Sequence, residues 1–312
     1  MIIKLGKLFI MKPSFIILLI VLKFNQFDLF SQDYLNLSVE NDLYFGIDRY
    51  YSSGIFLSTG KLKNKEREKG DQQNNFIHWT LGQEIYTPSK RYIRDASIFD
   101  YPFGGWLFLE RSFENYKKLN SSLHWAIKVG VTGNASLAPL LQNLYHDIIL
   151  GLPDVTWEEA LPQKILLNLS GMLRKRSEVT NQINFLHEYF GILGSQRISV
   201  GTRFGFLLGT SKALAFLGNP LDMQDKGYGI YFGTRQEYRF HDYMVSGSLF
   251  NDNAPFVLSS LPYKNSLEIG VAFYSKKWRI ITIWNSISKD NQRQSTNRHY
   301  YLNISITRFL KN

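Results

Sequence analysis

Leu123-His124-Trp125-Ala126-Ile127-Lys128-Val129-Gly130-Val131-Thr132 carries a large apolar side chain at every odd position and His, Ala, Lys, Gly or Thr at every even one. A period of two marks a β-strand, because successive side chains point to opposite faces. The pattern recurs in Leu267-x-Ile269-x-Val271-x-Phe273, in Leu302-x-Ile304-x-Ile306 and in Val200-x-Thr202-x-Phe204-x-Phe206. A soluble sandwich also alternates, but two details favour a membrane barrel. The polar face is rich in Gly, Ser and charged residues, as a wet lumen requires. Aromatic residues also gather at strand ends (Tyr50, Tyr51; Tyr228, Tyr231, Phe232; Tyr300, Tyr301), as in interfacial girdles.

The composition agrees with this reading. The chain has 312 residues, 44% hydrophobic and 15% aromatic, and 36 basic against 26 acidic side chains. It is too aromatic for a disordered chain, and its charges are too evenly mixed for a nucleic-acid-binding tail. With no cysteine, disulfides, thiolate metal sites and Cys nucleophiles are all excluded. Lys4, Lys7 and Lys12 precede an apolar run from Phe15 to Leu22, which reads as a signal peptide over residues 1–31. Beyond residue 32 no apolar stretch approaches the ~20 residues of a membrane helix, so residues 32–312 are expected to form one barrel domain that crosses the outer membrane on strands.

Strands are expected near 33–39, 54–62, 76–86, 105–114, 122–132, 165–175, 181–192, 197–209, 227–239, 266–275, 278–288 and 299–309. A thirteenth segment, 243–250, runs into Asn251-Asp252-Asn253-Ala254-Pro255 and is assigned to a loop. The even number of strands suits a bacterial single-chain barrel. The charge-rich stretch from Lys61 to Lys69 reads as a solvated turn. The connections at 40–53, 87–104 and 133–164 fall on one rim, taken as extracellular, and hold the unusual polar clusters. Ser136 to Gly151 is the one convincing helix, with Ser136 as N-cap, Pro139 in the first turn and Gly151 at the end. Gln142 and His146, four apart, share a face of it.

Four motifs stand in order along the chain. They are Glu40-Asn41-Asp42-x-x-Phe45-x-x-Asp48-Arg49-x-Tyr51-Ser52-x-Gly54; Gly82-Gln83-x-x-Tyr86-Thr87-Pro88; Asp100-x-Pro102-x-x-Gly105-Trp106-Leu107; and Gly133-x-Ala135-Ser136 with Gln142-x-x-x-His146 and Trp157. Over nearly all of the chain beyond the signal segment this pattern resembles the outer-membrane lipid A 3′-O-deacylases, twelve-stranded barrels that hydrolyse an acyl ester of the outer-leaflet lipid. The resemblance implies that His146 is the base that activates water and that Gln142 orients it. It also implies that Asn41 and Asp42 hold a calcium ion, that Ser52 shapes the site for the ester carbonyl, and that Lys90 and Arg91 meet a lipid A phosphate. The chain departs from some members at Leu152, six positions after the His, where an acidic residue is usual; Asp154 is the nearest substitute and joins the expected metal shell. The stretch 158–163 also differs.

Hard oxygen ligands suit calcium, and a His titrating near ~6.5 can take a proton from water at neutral pH. The expected protein is a monomeric lipid A hydrolase of the bacterial outer membrane that acts on lipopolysaccharide and has no nucleic-acid partner. Two other readings remain open: a barrel without catalysis, acting as channel or scaffold, and an outer-membrane phospholipase using Ser52 as nucleophile.

Overall fold

A computed structural model describes residues 33–68, 71–117, 120–210, 226–250 and 253–310. The expected signal peptide lies outside the described residues. Along the chain run β1 (Tyr34–Asn41), β2 (Tyr50–Glu68), β3 (Asp71–Thr87), β4 (Gly104–Lys117), β5 (Ser121–Val131) and β6 (Ile165–Thr180). There follow β7 (Ile183–Gly194), β8 (Arg197–Gly209), β9 (Gly227–Asp242), β10 (Tyr263–Tyr274), β11 (Trp278–Ser288) and β12 (Arg298–Phe309). Each strand pairs antiparallel with its sequence neighbours, and β12 closes on β1 from Tyr34↔Phe309 to Asn41↔Leu302. Closure satisfies every strand edge, the condition for crossing lipid on strands. No helix among the described residues is long and apolar enough to cross a membrane.

The alternation sorts side chains as the sequence implies. On β10, Leu267, Ile269, Val271 and Phe273 are exposed to the outside, while Glu268 and Ala272 are buried in the lumen. Buried apolar layers interrupt the polar lumen. Tyr86, Tyr101, Trp106, Phe108, Leu161, Leu166 and Met244 pack together toward one rim. Tyr34, Phe76, Tyr116 and Phe309 pack at the other. Between them, Arg174 joins Glu114 and Glu188 at 2.7 Å each, and Arg239 joins Asp242 and Asp290 at 2.8 and 3.1 Å.

One strand boundary read from the sequence differs from the structure. The charge-rich stretch after Lys61 is not a turn: β2 continues to Glu68 and pairs with β3 down to Glu68↔Asp71. Backbone pairing does not need an apolar face, so a hairpin can run on past the membrane with polar residues on both sides. The segment after residue 242 is not a strand, as expected; it begins with the short helix α2 (Tyr243–Ser246).

The expected helix is also built in pieces. A 3₁₀ turn (Gly133–Ser136) leads through Leu137 at φ 60° into α1 (Ala138–Tyr145), which continues as a π turn (His146–Leu150) ending at Gly151 with φ 62°. Ser136 does not take the N-cap position, which falls to Leu137; its Oγ accepts from the Ala138 N–H at 3.3 Å and donates to the Gly133 carbonyl. Gly105, on the outward face of β4, makes room for this foot. A Cβ there would lie 2.2 Å from Ala138 Cβ and 2.4 Å from Ser136 Oγ, so α1 stands against the outside of the barrel wall.

Candidate active site

Ala138, Gln142 and His146 recur at intervals of four along α1 and its π turn and are all buried, whereas Leu140, Leu141, Leu144, Tyr145 and Ile148 are exposed. The first row faces the barrel. On the wall opposite, the outward positions of β3 change from exposed at Trp79 and Leu81 to buried at Gln83 and Ile85. A seam with polar groups inside thus forms between helix and wall, on the lipid side of the barrel rather than in its lumen.

The β1–β2 connection feeds this seam. Leu43–Phe45 form a 3₁₀ turn closed by Gly46 at φ 68°. Tyr50 opens β2 at φ 60°, a conformation costly for a bulky residue. It is held there because its hydroxyl donates to Asp100 Oδ2 at 2.8 Å and its ring is fully buried. The pairing of β2 with β3 then slips between Tyr51↔Tyr86 and Ser53↔Ile85, which leaves Ser52 as an extra residue. Such a bulge re-aims a side chain, and here Ser52 Oγ turns back to donate to Asp48 Oδ1 at 2.6 Å.

Asp48 is the centre of the cluster. Its Oδ2 lies 2.9 Å from His146 Nε2 and 3.0 Å from Arg91 Nε, and its backbone carbonyl accepts from Arg91 Nη1 at 2.8 Å. Burial alone would raise this carboxyl, but the hydrogen bonds from His146 and Ser52 and the Arg91 charge hold it below the usual carboxylate range. An ionised Asp48 accepts a hydrogen bond from His146 Nε2, which in the neutral ring leaves the lone pair on Nδ1. That nitrogen has only distant neighbours, Tyr92 Oη at 3.5 Å and the Pro153 carbonyl at 3.4 Å.

The other expected residues are placed as follows. Asp42 is fully buried; its Oδ2 accepts from the Arg49 N–H at 2.9 Å, and its Oδ1 has no partner. Burial, reinforced by the Asp48 charge, pushes its carboxyl up to about 8. Asn41 is half-buried and its Oδ1 accepts from the Leu43 N–H at 2.6 Å. Gln142 makes no hydrogen bond to His146; both its amide atoms are buried without a partner. Asp154 is exposed, and among the described residues no three His, Cys, Asp or Glu side chains converge on one point. Lys90 and Arg91 part company: Lys90 is exposed, while Arg91 turns into the cluster and lies over the Tyr92 ring.

Asp48 and Gln83 stand within the sequence motifs, but no role attaches to either from the sequence alone. A carboxylate four residues before a Ser and 98 before a His carries no local signal of its partners. For Gln83 there was a signal: a polar residue in register with the greasy positions Trp79 and Leu81.

A closed barrel with an apolar outer face and a polar lumen is an outer-membrane β-barrel protein. The family model described as "Outer membrane protein LpxR" matches residues 15–309, and the chain belongs to that family. The solved structure of LpxR from Salmonella typhimurium superposes with a TM-score of 0.73 at 17% identity, covering 89% of this chain and 100% of that one, and shares its fold. The β domain of the Bordetella autotransporter BrkA (TM-score 0.42, 11% identity, 89% and 97% covered) and the translocator domain of NalP from Neisseria meningitidis (0.42, 7%, 95% and 94%) are more distant barrels. No curated protein matches the sequence.

Proposed function

We propose that this chain is a lipid A deacylase that hydrolyses an acyl ester, the 3′-O-linked chain, of lipid A in the outer leaflet. The observation that carries this reading is the position of the His146–Asp48 pair: it sits in a seam on the outer wall of the barrel, under a helix whose other face is exposed and apolar. A substrate that reaches such a seam comes from the membrane, and contiguous exposed apolar surface marks a lipid-facing site. Membership of the LpxR family and the resemblance of the four motifs to lipid A deacylases support the same substrate.

In this mechanism His146 Nδ1 removes a proton from water while Asp48 steadies the imidazolium through Nε2. The hydroxide attacks the ester carbonyl, the carbon–oxygen bond to the sugar breaks, and the Nδ1 proton passes to the departing alkoxide. Gln142 Nε2, buried and unpaired, is available to the developing oxyanion. Asp42 fits a calcium ligand because its Oδ1 is orphaned and its buried carboxyl resists ionising without a cation, and Asn41 adjoins it. A calcium ion there would polarise the carbonyl. Asp154, being exposed, adds nothing to that site in this arrangement.

Ser52 is poorly placed as a nucleophile. Its proton goes to Asp48, whose lowered carboxyl is a weak base, and no imidazole nitrogen bonds to it. The lumen holds a cavity lined by charged residues such as Arg203, Arg235, Glu237 and Glu268, but buried apolar layers lie toward both rims, which counts against an open channel. The test is to incubate the detergent-purified chain with lipid A and calcium and to weigh the products by mass spectrometry. Release of one 3′-linked fatty acid with an intact phosphorylated disaccharide supports the proposal. Unchanged lipid A together with cleaved glycerophospholipid would favour the phospholipase.

A further inference from the structure

The outward face of β4 reads Leu107, Leu109, Arg111, Phe113, so a permanently charged guanidinium stands among lipid-facing side chains. In register beside it are Trp79 of β3 and Ile127 of β5, both exposed, and Leu109 and Leu81 are exposed next to them. Arg111 is itself exposed and has no ion pair among the described residues. Its Cζ lies 5.0 Å from the centroid of the Trp79 ring and 5.0 Å from that of Phe113. Phe113 in turn stacks on Trp125 at 4.2 Å with the planes 18° apart.

This arginine differs from those on the other side of the wall. Arg174, Arg197, Arg203 and Arg239 point into the lumen, and each has a carboxylate partner. Arg111 has aromatic walls and no anion. A charged residue on the lipid face is costly and is tolerated where it meets a counter-charge from the bilayer. The rings pin the guanidinium by cation–π contact and leave its donor edge free. Arg111, Phe113 and Trp125 all lie in the half of their strands away from the rim that carries α1, so the guanidinium stands on the part of the wall that faces the opposite leaflet. Guanidinium matches phosphate with two parallel donors, and the surrounding apolar surface suits acyl chains.

We propose that Arg111, clamped by Trp79 and Phe113, binds the phosphate of a glycerophospholipid in the leaflet opposite the catalytic rim. The inference does not depend on the proposed deacylase activity.

Native mass spectrometry of the detergent-purified full chain tests it, with phosphatidylglycerol, diacylglycerol of the same chains, lipid A and inorganic phosphate as probes. The wild type should retain one phosphatidylglycerol in preference to diacylglycerol. Arg111→Leu, with heat-modifiable gel mobility as the check of folding, should lower that adduct on the order of tenfold, as loss of a charge-assisted contact implies. Arg111→Lys should fall between, because it keeps the charge and loses the fork. Equal retention by wild type and Arg111→Leu would overturn the proposal. So would equal retention of diacylglycerol by the wild type, a result that needs no variant. Displacement of the lipid by inorganic phosphate, or selective capture of lipid A through Arg111, would reject a glycerophospholipid as the ligand.

Discussion

In the lumen, Arg174 lies between Glu114 and Glu188, and Arg239 between Asp242 and Asp290, so the buried charges answer one another at short range. In the seam outside the wall the charges are as deeply buried, yet the arrangement is incomplete. Single atoms such as Glu114 Oε2 and Glu237 Oε1 are left over in the lumen too, but those carboxylates keep an arginine partner. In the seam Asp42 has only a backbone hydrogen bond, Gln142 has none, Tyr50 is held at φ 60°, and Ser52 is an extra residue in its strand. Both clusters cost desolvation; the lumen network offsets it with mutual pairing, inside a barrel that the strand ladders close. The seam leaves groups unsatisfied and backbone strained, the condition expected where a substrate completes the set.

The sharpest way to break this contrast is to remove one residue from each side. His146→Gln should leave the barrel folded while deacylation falls on the order of 10² or more, the usual loss when a general base is removed. Turnover near the wild-type rate would remove His146 from the chemistry. In the lumen, Arg174→Met strands Glu114 and leaves Glu188 only the longer contact to Arg203 at 3.8 Å, and should cost about 3–5 kcal/mol of stability, read as an earlier midpoint in urea unfolding followed by gel mobility. The folded fraction should keep its activity. A stable Arg174→Met barrel with lost activity would erase the distinction between the two regions.

Calcium sharpens the contrast from the seam side. The Asp42 carboxyl titrates at about 8 without a cation, so below that pH a proton occupies the ligand and must leave when calcium binds. Apparent calcium affinity should therefore rise with pH, on the order of tenfold per unit up to about 8, and level off above it. Calcium titrations of activity at pH 6 and 8 read this directly. Equal midpoints would take Asp42 out of the shell, and full activity in excess chelator would take calcium out of the reaction.

A smaller effect separates Lys90 from Arg91, neighbours that the structure sends to different tasks. Lys90→Met should raise KM for phosphorylated lipid A several-fold and leave kcat alone, since an exposed cation binds ground and transition states alike. That defect should shrink on dephosphorylated lipid A. Arg91→Met removes a partner of Asp48 and should lower kcat on both substrates. Identical behaviour of the two variants would return them to a single phosphate clamp.

The barrel was legible because lipid outside and polar lumen inside impose a period of two on every strand, and Leu267 to Phe273 displays it without a break. The hairpin beyond Lys61 was not, because strand pairing outside the membrane constrains no side chain. The Gln142 and His146 face of the helix was legible from their spacing, although the structure aims Gln142 at the seam rather than at the imidazole. Asp48 was hidden: its role arises from a bulge at Ser52 and from contact with a helix far along the chain, neither of which leaves a local pattern. Arg91 read as a phosphate ligand because its ion pair with Asp48 exists only in the folded chain.

The central claim is that Asp48 and His146 act as one unit, with water as the nucleophile. A double-variant cycle on lipid A deacylation, with Asp48→Asn, His146→Gln and the combination, measures that coupling directly once gel mobility shows all three folded. Each single variant should lose activity on the order of 10² or more, and the double variant should be scarcely worse than His146→Gln, because residues acting as a unit are grossly non-additive. Near-wild-type activity of Asp48→Asn, or losses that simply multiply in the double variant, would contradict it.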